Sequence, residues 1–246
     1  MRVPRLYCPV LAAGANALSK EESHHAAKVL RLRQGDRVSL FDGLGHEGRG
    51  AVSGIRPQQV EVAVDSITTR PFETVHRITL AVALAKAHRH GYLVEKCTEL
   101  GAAGFWPILA ERSVTEPGEA AVEKWSRRAI EAAKQSHRVW LPTFEELQPI
   151  SRAIERIPEF TAAAVADPEG ADFRPAFLSC RPADATLLVF VGPEGGFTQS
   201  EREQLIAAGA HPVRLAPTVL RTETAAVALC AAEAALSLSL AGRGSG

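Results

Sequence analysis

Leu187-Leu188-Val189-Phe190-Val191-Gly192-Pro193-Glu194-Gly195-Gly196-Phe197-Thr198-Gln199-Ser200-Glu201 carries three signals in succession. Its first five residues are all apolar, and a short continuous run of this kind bounded by glycine reads as a strand buried on both faces. Gly192, Gly195 and Gly196 then leave the backbone bare, so a flat ligand can approach N–H and C=O groups without interference from a Cβ. Thr198 and Glu201 have the spacing of a capping box, which starts a helix that Gly209 ends. A buried strand, a glycine loop and a capped helix make one unit of a parallel α/β sheet, where ligands sit beyond the carboxyl ends of the strands. The loop is neither G-x-G-x-x-G nor a P-loop, because no Lys-Ser/Thr follows, so nucleotide phosphate fits it poorly. A tight strand-to-helix turn with left-handed glycines is the alternative.

Working outward, the same alternation recurs from His76 onward. Residues 78–84 form an apolar run, 91–100 a helix ended by Gly101, 105–109 a strand and 119–136 a helix. Strands follow at 161–166 and 213–215, and an Ala-rich helix at 222–240. Two further loops therefore qualify as ligand loops. One is Asp167-Pro168-Glu169-Gly170, and the other runs from Leu215 through Arg221, Thr222, Glu223 and Thr224 into the last helix. Thr222 can cap that helix and Glu223 suits its positive dipole end. Arg221 opposes the dipole, which points to another partner for its charge.

The first seventy residues read differently. Ser19 and Glu22 form a capping box for a helix reaching about Arg31, followed by strands at 37–41, 48–55 and 60–64 and a linker at Thr68-Thr69-Arg70-Pro71. The expected organisation is a small, mostly β domain at 1–70 and a larger α/β domain at 71–246.

Composition sets the outer bounds. The chain has 246 residues, 28 Lys+Arg against 28 Asp+Glu, 46% hydrophobic and 23% charged residues, which excludes disordered and collagen-like classes. The stretch 224–240 contains Glu233 and is shorter than the roughly 20 residues of a bilayer span, and the N-terminus lacks the apolar run of a signal peptide. A cytoplasmic protein is expected. Cys8, Cys97, Cys180 and Cys230 are far apart and form no C-x-x-C pair, so no metal is expected and the thiols read as core residues. The zero net charge hides an asymmetry. Residues 1–40 hold seven cations (Arg2, Arg5, Lys20, Lys28, Arg31, Arg33, Arg37) against three acids, and a second cluster runs Lys124, Arg127, Arg128, Lys134, His137, Arg138. These are either solvated helix faces or a nucleic-acid footprint.

Phe190-Val191-Gly192-Pro193-Glu194-Gly195-Gly196-Phe197, taken with Leu215-Ala216-Pro217-Thr218-Val219-Leu220-Arg221-Thr222-Glu223-Thr224-Ala225, resembles the paired signatures of the bacterial 16S ribosomal RNA uridine N3-methyltransferases, of the SPOUT class. Lys96-Cys97-Thr98-Glu99-Leu100-Gly101 is similar to that family's K-x-x-E-L-G helix end, and the likeness extends back to Val29-Leu30-Arg31. The resemblance implies a trefoil-knotted α/β methyltransferase domain behind a PUA-like β-barrel domain that helps to grip RNA. It also implies a homodimer, S-adenosylmethionine as cofactor, and 16S ribosomal RNA or the assembled 30S subunit as partner. Cofactor contacts are expected from Val191, Gly192, Glu194, Gly195, Gly196, Leu215, Ala216, Val219, Leu220, Thr222 and Thr224, and RNA contacts from Arg2, Arg5, Lys28, Arg31, Arg33 and Arg138. The chain departs from the family pattern at Ala216, where Gly is usual, at Ala87 and Gly91, and in His137-Arg138-Val139-Trp140.

Uracil N3 lies on the Watson–Crick edge, so its base must be unpaired or splayed out to react. Arg221 is the expected stabiliser of charge developing on the uracil oxygens, and Glu223 either accepts the N3 proton or orients Arg221. Two other readings compete: a non-catalytic RNA-binding assembly factor, and a related methylase acting on transfer RNA. The intact glycine loop and Arg221-Thr222-Glu223 argue against the first, and the basic N-terminal module argues for a structured RNA.

Overall fold

The computed structural model describes residues 3–83, 87–113, 121–173 and 184–241, and the chain divides into two units. The first takes the chain up to Glu73 together with Ala133–Leu141, and the second takes Thr74–Ala132 and the chain from Pro142 onward. Arg2 and Cys180, the end of the apolar run at 84 and the start of the helix expected at 119 lie outside the described residues.

The first unit is built on β1 (Arg5–Tyr7), β2 (Gly14–Ala17), β3 (Arg37–Phe41), β4 (His46–Arg56) and β5 (Gln59–Thr69), in the spatial order β1-β3-β4-β5-β2. β1 runs parallel to β3 and the other pairs are antiparallel. Alternation in β5 turns Val60, Val62 and Val64 into one core with Leu6, Val38, Leu40 and Val52. The strand continues past that alternation: Thr68 pairs with Glu47 and Thr69 with His46, so these threonines belong to the ladder rather than to a linker. Ser19 caps α1 (Lys20–His24) by accepting from the Glu22 N–H at 3.2 Å. The helix then widens into a π-helical turn over His25–Val29, and Arg31 ends it with a left-handed φ of 55°.

A knot of buried charge changes the reading of two cations. Arg5 is 6% exposed, pairs with Glu47 at 3.3 Å and donates to the Arg138 carbonyl at 2.8 Å. Arg138 is 3% exposed, donates to Glu73 at 3.1 Å and lies over the Phe72 ring. Both were expected to meet RNA. They are instead interior residues whose charge is neutralised inside the unit, where a phosphate does not reach. Lys134 of the second basic cluster is buried on Glu22 in the same way.

The second unit carries β6 (Arg77–Ala83), β7 (Gly104–Leu109), β8 (Thr143–Phe144), β9 (Gln148–Pro149), β10 (Ala162–Asp172), β11 (Thr186–Val191) and β12 (Ala210–Arg214). All its pairings are parallel, in the order β12-β10-β11-β6-β7-β8, with β9 also on β7. On one face Ile78, Leu80, Leu187 and Val189 pack with α2 (Ala87–Glu99), α3 (Ala121–Ser136) and α6 (Thr222–Ala241) through Leu93, Trp125 and Leu229. On the other, Ala81, Leu188 and Phe190 pack with α4 (Ile150–Glu155) and α5 (Gln199–Ala207) through Ile150, Ala153 and Leu205. Burial from both sides is why residues 187–191 read as an unbroken apolar run. Residues 167–170, expected as a loop, are part of β10, whose register against β12 shifts between Ala166 and Ala171. A bulge keeps the strand going while turning Asp167, Pro168 and Glu169 out of the ladder. Among the described residues, no helix is long and apolar enough to cross a membrane.

Helix α6 is Ala-rich and weakly amphipathic, yet one polar contact fixes it along the sheet. Glu233, 2% exposed, accepts from the His76 backbone N–H at 3.0 Å, meets His76 Nδ1 at 3.0 Å and accepts from Ser237 Oγ at 2.9 Å. Ser237 Oγ in turn accepts from the Val75 N–H at 2.8 Å. Glu233→Ala leaves buried donors unpaired and should cost about 3–5 kcal/mol, while Glu233→Gln, which keeps an acceptor, should cost less. Denaturant midpoints of the two variants check this; equal midpoints to wild type would make the contact dispensable.

Candidate active site

The carboxyl ends of β10, β11 and β12 converge on three adjoining cavities. The glycine-lined one has a volume of about 400 Å³, enough for a drug-sized ligand. Its walls are the bulge of β10, the loop after β11, Gln199 and Arg202 of α5, and Val219, Leu220 and Thr222. Val191, Gly192, Glu194, Gly195, Gly196, Val219, Leu220 and Thr222 thus gather around one space. Leu215 and Ala216 do not join it; they line a side pocket of about 60 Å³ with Ala166 and Pro168. Thr224 lines a third cavity of about 560 Å³, shared with Arg221, Glu223, Arg89 and Tyr92. Val219 and Leu220 border both large cavities.

Local hydrogen bonds hold these loops in place. Thr198 accepts from Glu201 N–H while Glu201 accepts from Thr198 N–H at 2.8 Å, so the capping box forms and fixes the exit of the glycine loop. Gly196 closes a turn on the Pro193 carbonyl at 2.8 Å with a φ of 68°, a conformation that favours glycine. Gly195 is different: its φ is not left-handed, and an added Cβ would meet only the Arg112 side chain, at 3.4 Å. The fold itself has room for a side chain there. Thr222, buried at 3% exposure, donates its hydroxyl to the Gly192 carbonyl at 2.8 Å and so ties the start of α6 to the end of β11.

Charge is arranged on both sides of that tie. Arg89 of α2 donates to Glu194 at 2.9 Å and stands 3.9 Å from Glu223. Glu223 is 12% exposed, and its Oε2 is buried with no hydrogen-bond partner among the described residues. Burial beside Trp125 pulls the His90 pKa below its ordinary value, and the nearby carboxylates of Glu194 and Glu223 oppose that shift. Arg112 donates to the Gly195 carbonyl at 2.8 Å, and Arg202 pairs with Asp167. None of Arg89, Arg112 and Arg202 was singled out from the sequence, because each is joined to the site by a pairing distant along the chain; only the capping box beside Arg202 and the loop after β7 could have drawn attention to two of them. Such an arrangement can take a flat ligand against bare backbone in one cavity and stabilise negative charge beside a carboxylate in the next.

In the first unit, Lys28, Arg31 and Arg33 are exposed around the carboxyl end of the α1 segment, with Val29 61% and Leu30 38% exposed between them. Cations are favoured at that end by the helix dipole.

The RNA methyltransferase domain family matches residues 72–234, and the RNA methyltransferase PUA domain family matches residues 18–65. The chain is 38% identical to the ribosomal RNA small subunit methyltransferase E of Aquifex aeolicus (strain VF5), over 82% of this chain and 88% of that protein. It is 30% identical to the protein of the same name from Bacillus subtilis (strain 168), over 85% of each. A crystal structure of the Neisseria gonorrhoeae ribosomal RNA small subunit methyltransferase E bound to S-adenosyl methionine superposes with a TM-score of 0.83 at 28% identity, covering 96% of this chain and 98% of that one.

The two neighbouring glycines should separate under mutation. Gly196→Ala forces a side chain into a left-handed conformation and should cost about 1–2 kcal/mol. Gly195→Ala should change stability by no more than about 0.5 kcal/mol, since the added Cβ meets only the Arg112 side chain, at ordinary contact distance. Urea unfolding of both variants decides; an equally large loss at Gly195 would make the loop a structural turn throughout.

Proposed function

Because the chain belongs to the ribosomal RNA small subunit methyltransferase E family, we propose that it transfers a methyl group from S-adenosylmethionine to N3 of a uridine in 16S ribosomal RNA. One observation carries the reading: a cavity walled by bare glycine backbone adjoins a cavity holding Arg221 and Glu223, with Val219 and Leu220 on the border of both. The residues suit the methyl donor. Gly192 and Gly195 admit a flat adenine against the backbone, and Asp167, Glu169 and Glu194 offer carboxylates for its hydroxyl and ammonium groups. Bound there, S-adenosylmethionine supplies an electrophilic methyl group on its sulfonium.

The protein's own task is then to hold the base and manage one proton. Uracil N3 bears an in-plane hydrogen that occupies the position the methyl group must take, so the hydrogen leaves first. Glu223 accepts it; its carboxylate lines the cavity beside Arg221. The negative charge left on the imide spreads over the two carbonyl oxygens, where Arg221 stabilises it. The exposed Lys28, Arg31 and Arg33 of the first unit hold phosphates and position the RNA.

The assembled 30S subunit as substrate, a homodimer as the working form and a trefoil knot in the second unit belong to the same reading. The path of the chain supports the knot. It leaves edge strand β12, runs through residues 215–221 beside the ends of β10 and β11, and enters α6, which packs on β6 and β11 in the middle of the sheet.

The decisive experiment is incubation with labelled S-adenosylmethionine and 30S subunits from a strain lacking the modification; absence of labelled 3-methyluridine would remove the assignment. Arg221→Ala should lower the single-turnover rate about 10²–10³-fold with methyl-donor and RNA affinities nearly intact. Glu223→Gln should lose comparably and be partly rescued at higher pH, where the imide ionises unaided. Near-normal turnover of Arg221→Ala would leave that residue a loop-positioning role only. Replacing Arg31 and Arg33 by Glu should weaken RNA binding and flatten its salt dependence while leaving methyl-donor affinity alone, because fewer phosphate contacts release fewer counterions. Titrations at two salt concentrations measure this, and an unchanged slope would return these cations to a solvated face.

A further inference from the structure

The cavity of Arg221 and Glu223 has two more walls that the reaction as described does not use. Arg89 and Tyr92, three residues apart on α2, both line it. Tyr92 is 53% exposed while the next two residues, Leu93 and Val94, are buried in the core, so the ring stands on a firmly packed helix with its face uncovered. Arg89 has five N–H donors, and among the described residues its one hydrogen bond goes to Glu194. The cavity therefore offers an open aromatic face, donors from two guanidinium groups, and an acceptor carboxylate.

That inventory selects among bases. The Watson–Crick edge of uracil presents a carbonyl, an N–H and a carbonyl: acceptor, donor, acceptor. Two guanidinium groups, which only donate, and one carboxylate, which only accepts, are its complement in kind. Cytosine presents an amino donor, a bare ring nitrogen and one carbonyl. It would set its amino group against a guanidinium and its lone pair against the carboxylate, leaving buried groups mispaired.

Building on the uridine-methylation reading above, we infer that this cavity seats the target base, with Tyr92 as the face on which it stacks and Arg89 as a second donor, beside Arg221, to the carbonyl oxygens flanking N3. An unpaired base needs such a platform because it has given up its neighbours in the RNA stack, and an aromatic side chain replaces that contact.

The test uses the full-length protein and 16S RNA carrying 5-iodouridine at the position the wild type methylates. Irradiation should join that base to Tyr92, identified by mass spectrometry of the peptide; a crosslink to another residue overturns the seat. Tyr92→Ala should lose about 5–150-fold in single-turnover rate, the range that one base–aromatic stack supports, and Tyr92→Phe should recover most of it. Arg89→Ala should bring the affinity ratio for RNA with uridine over cytidine at that position towards one, with Arg89→Lys intermediate. Methyl-donor affinity, followed by calorimetry, should stay unchanged in the tyrosine variants. A full-rate Tyr92→Ala, or a loss that sedimentation traces to dissociation of subunits, overturns the stacking role while leaving uridine methylation standing. A wild type that methylates no uridine removes both.

Discussion

The buried carboxylate of Glu233 is the contact on which the placement of the last helix depends. Helix α6 offers the sheet little but alanine and leucine, and such a surface can slide by a turn at small cost in apolar area. A carboxylate that must find the His76 backbone N–H and ring permits one register only, because every other position leaves it buried and unpaired. Once the helix is set at that point, its amino-terminal residues arrive beside β11, where the Thr222 hydroxyl meets the Gly192 carbonyl. A charge in the middle of α6 thus positions Arg221 and Glu223 at its amino-terminal end.

Two loops joined in this way form a continuous floor under two cavities. The glycine loop needs bare backbone for different reasons at adjacent residues: Gly196 for its turn, Gly195 for the space in front of it. Arg89 bridges the charges on either side, with Glu194 from the glycine loop and Glu223 from the first turn of α6. Methyl transfer depends mainly on holding donor and acceptor in line, so a site built from short ties between loops suits that chemistry.

Much of this was legible where a signal is local. The Ser19 cap, the capping box at Thr198 and the apolar run ending at Val191 are complete within a few residues, and the parallel sheet follows from their alternation with helices; only the Glu22 half of the expected Ser19 box fails, because that carboxylate accepts from the Tyr7 N–H and pairs with Lys134. What escaped depends on partners distant in the chain. Arg5 and Arg138 read as basic surface, since nothing nearby announces that they meet each other, Glu47 and Glu73 in the interior. Pro168 and Gly170 spelled a loop, whereas a bulge lets β10 carry them alongside β12. β2, Gly-Ala-Asn-Ala, has no β-branched residue and is a strand because β5 offers it an edge. Arg89 carries no local signal at all, because its two carboxylates, Glu194 and Glu223, lie far along the chain.

The first unit borrows nine residues from far down the chain, Ala133–Leu141, and this bears on the order in which the protein is made. Glu22 and Arg5 leave the ribosome early, but Lys134 and Arg138 follow only after a gap of about 60 residues has been translated. At about 5–20 residues per second that is a wait of about 3–12 s. During it Arg5 already has Glu47, but the Glu22 carboxylate waits for Lys134 and the Arg5 guanidinium for the Arg138 carbonyl. The first unit is therefore translated first and finished later, after part of the sheet of the second unit has already been made.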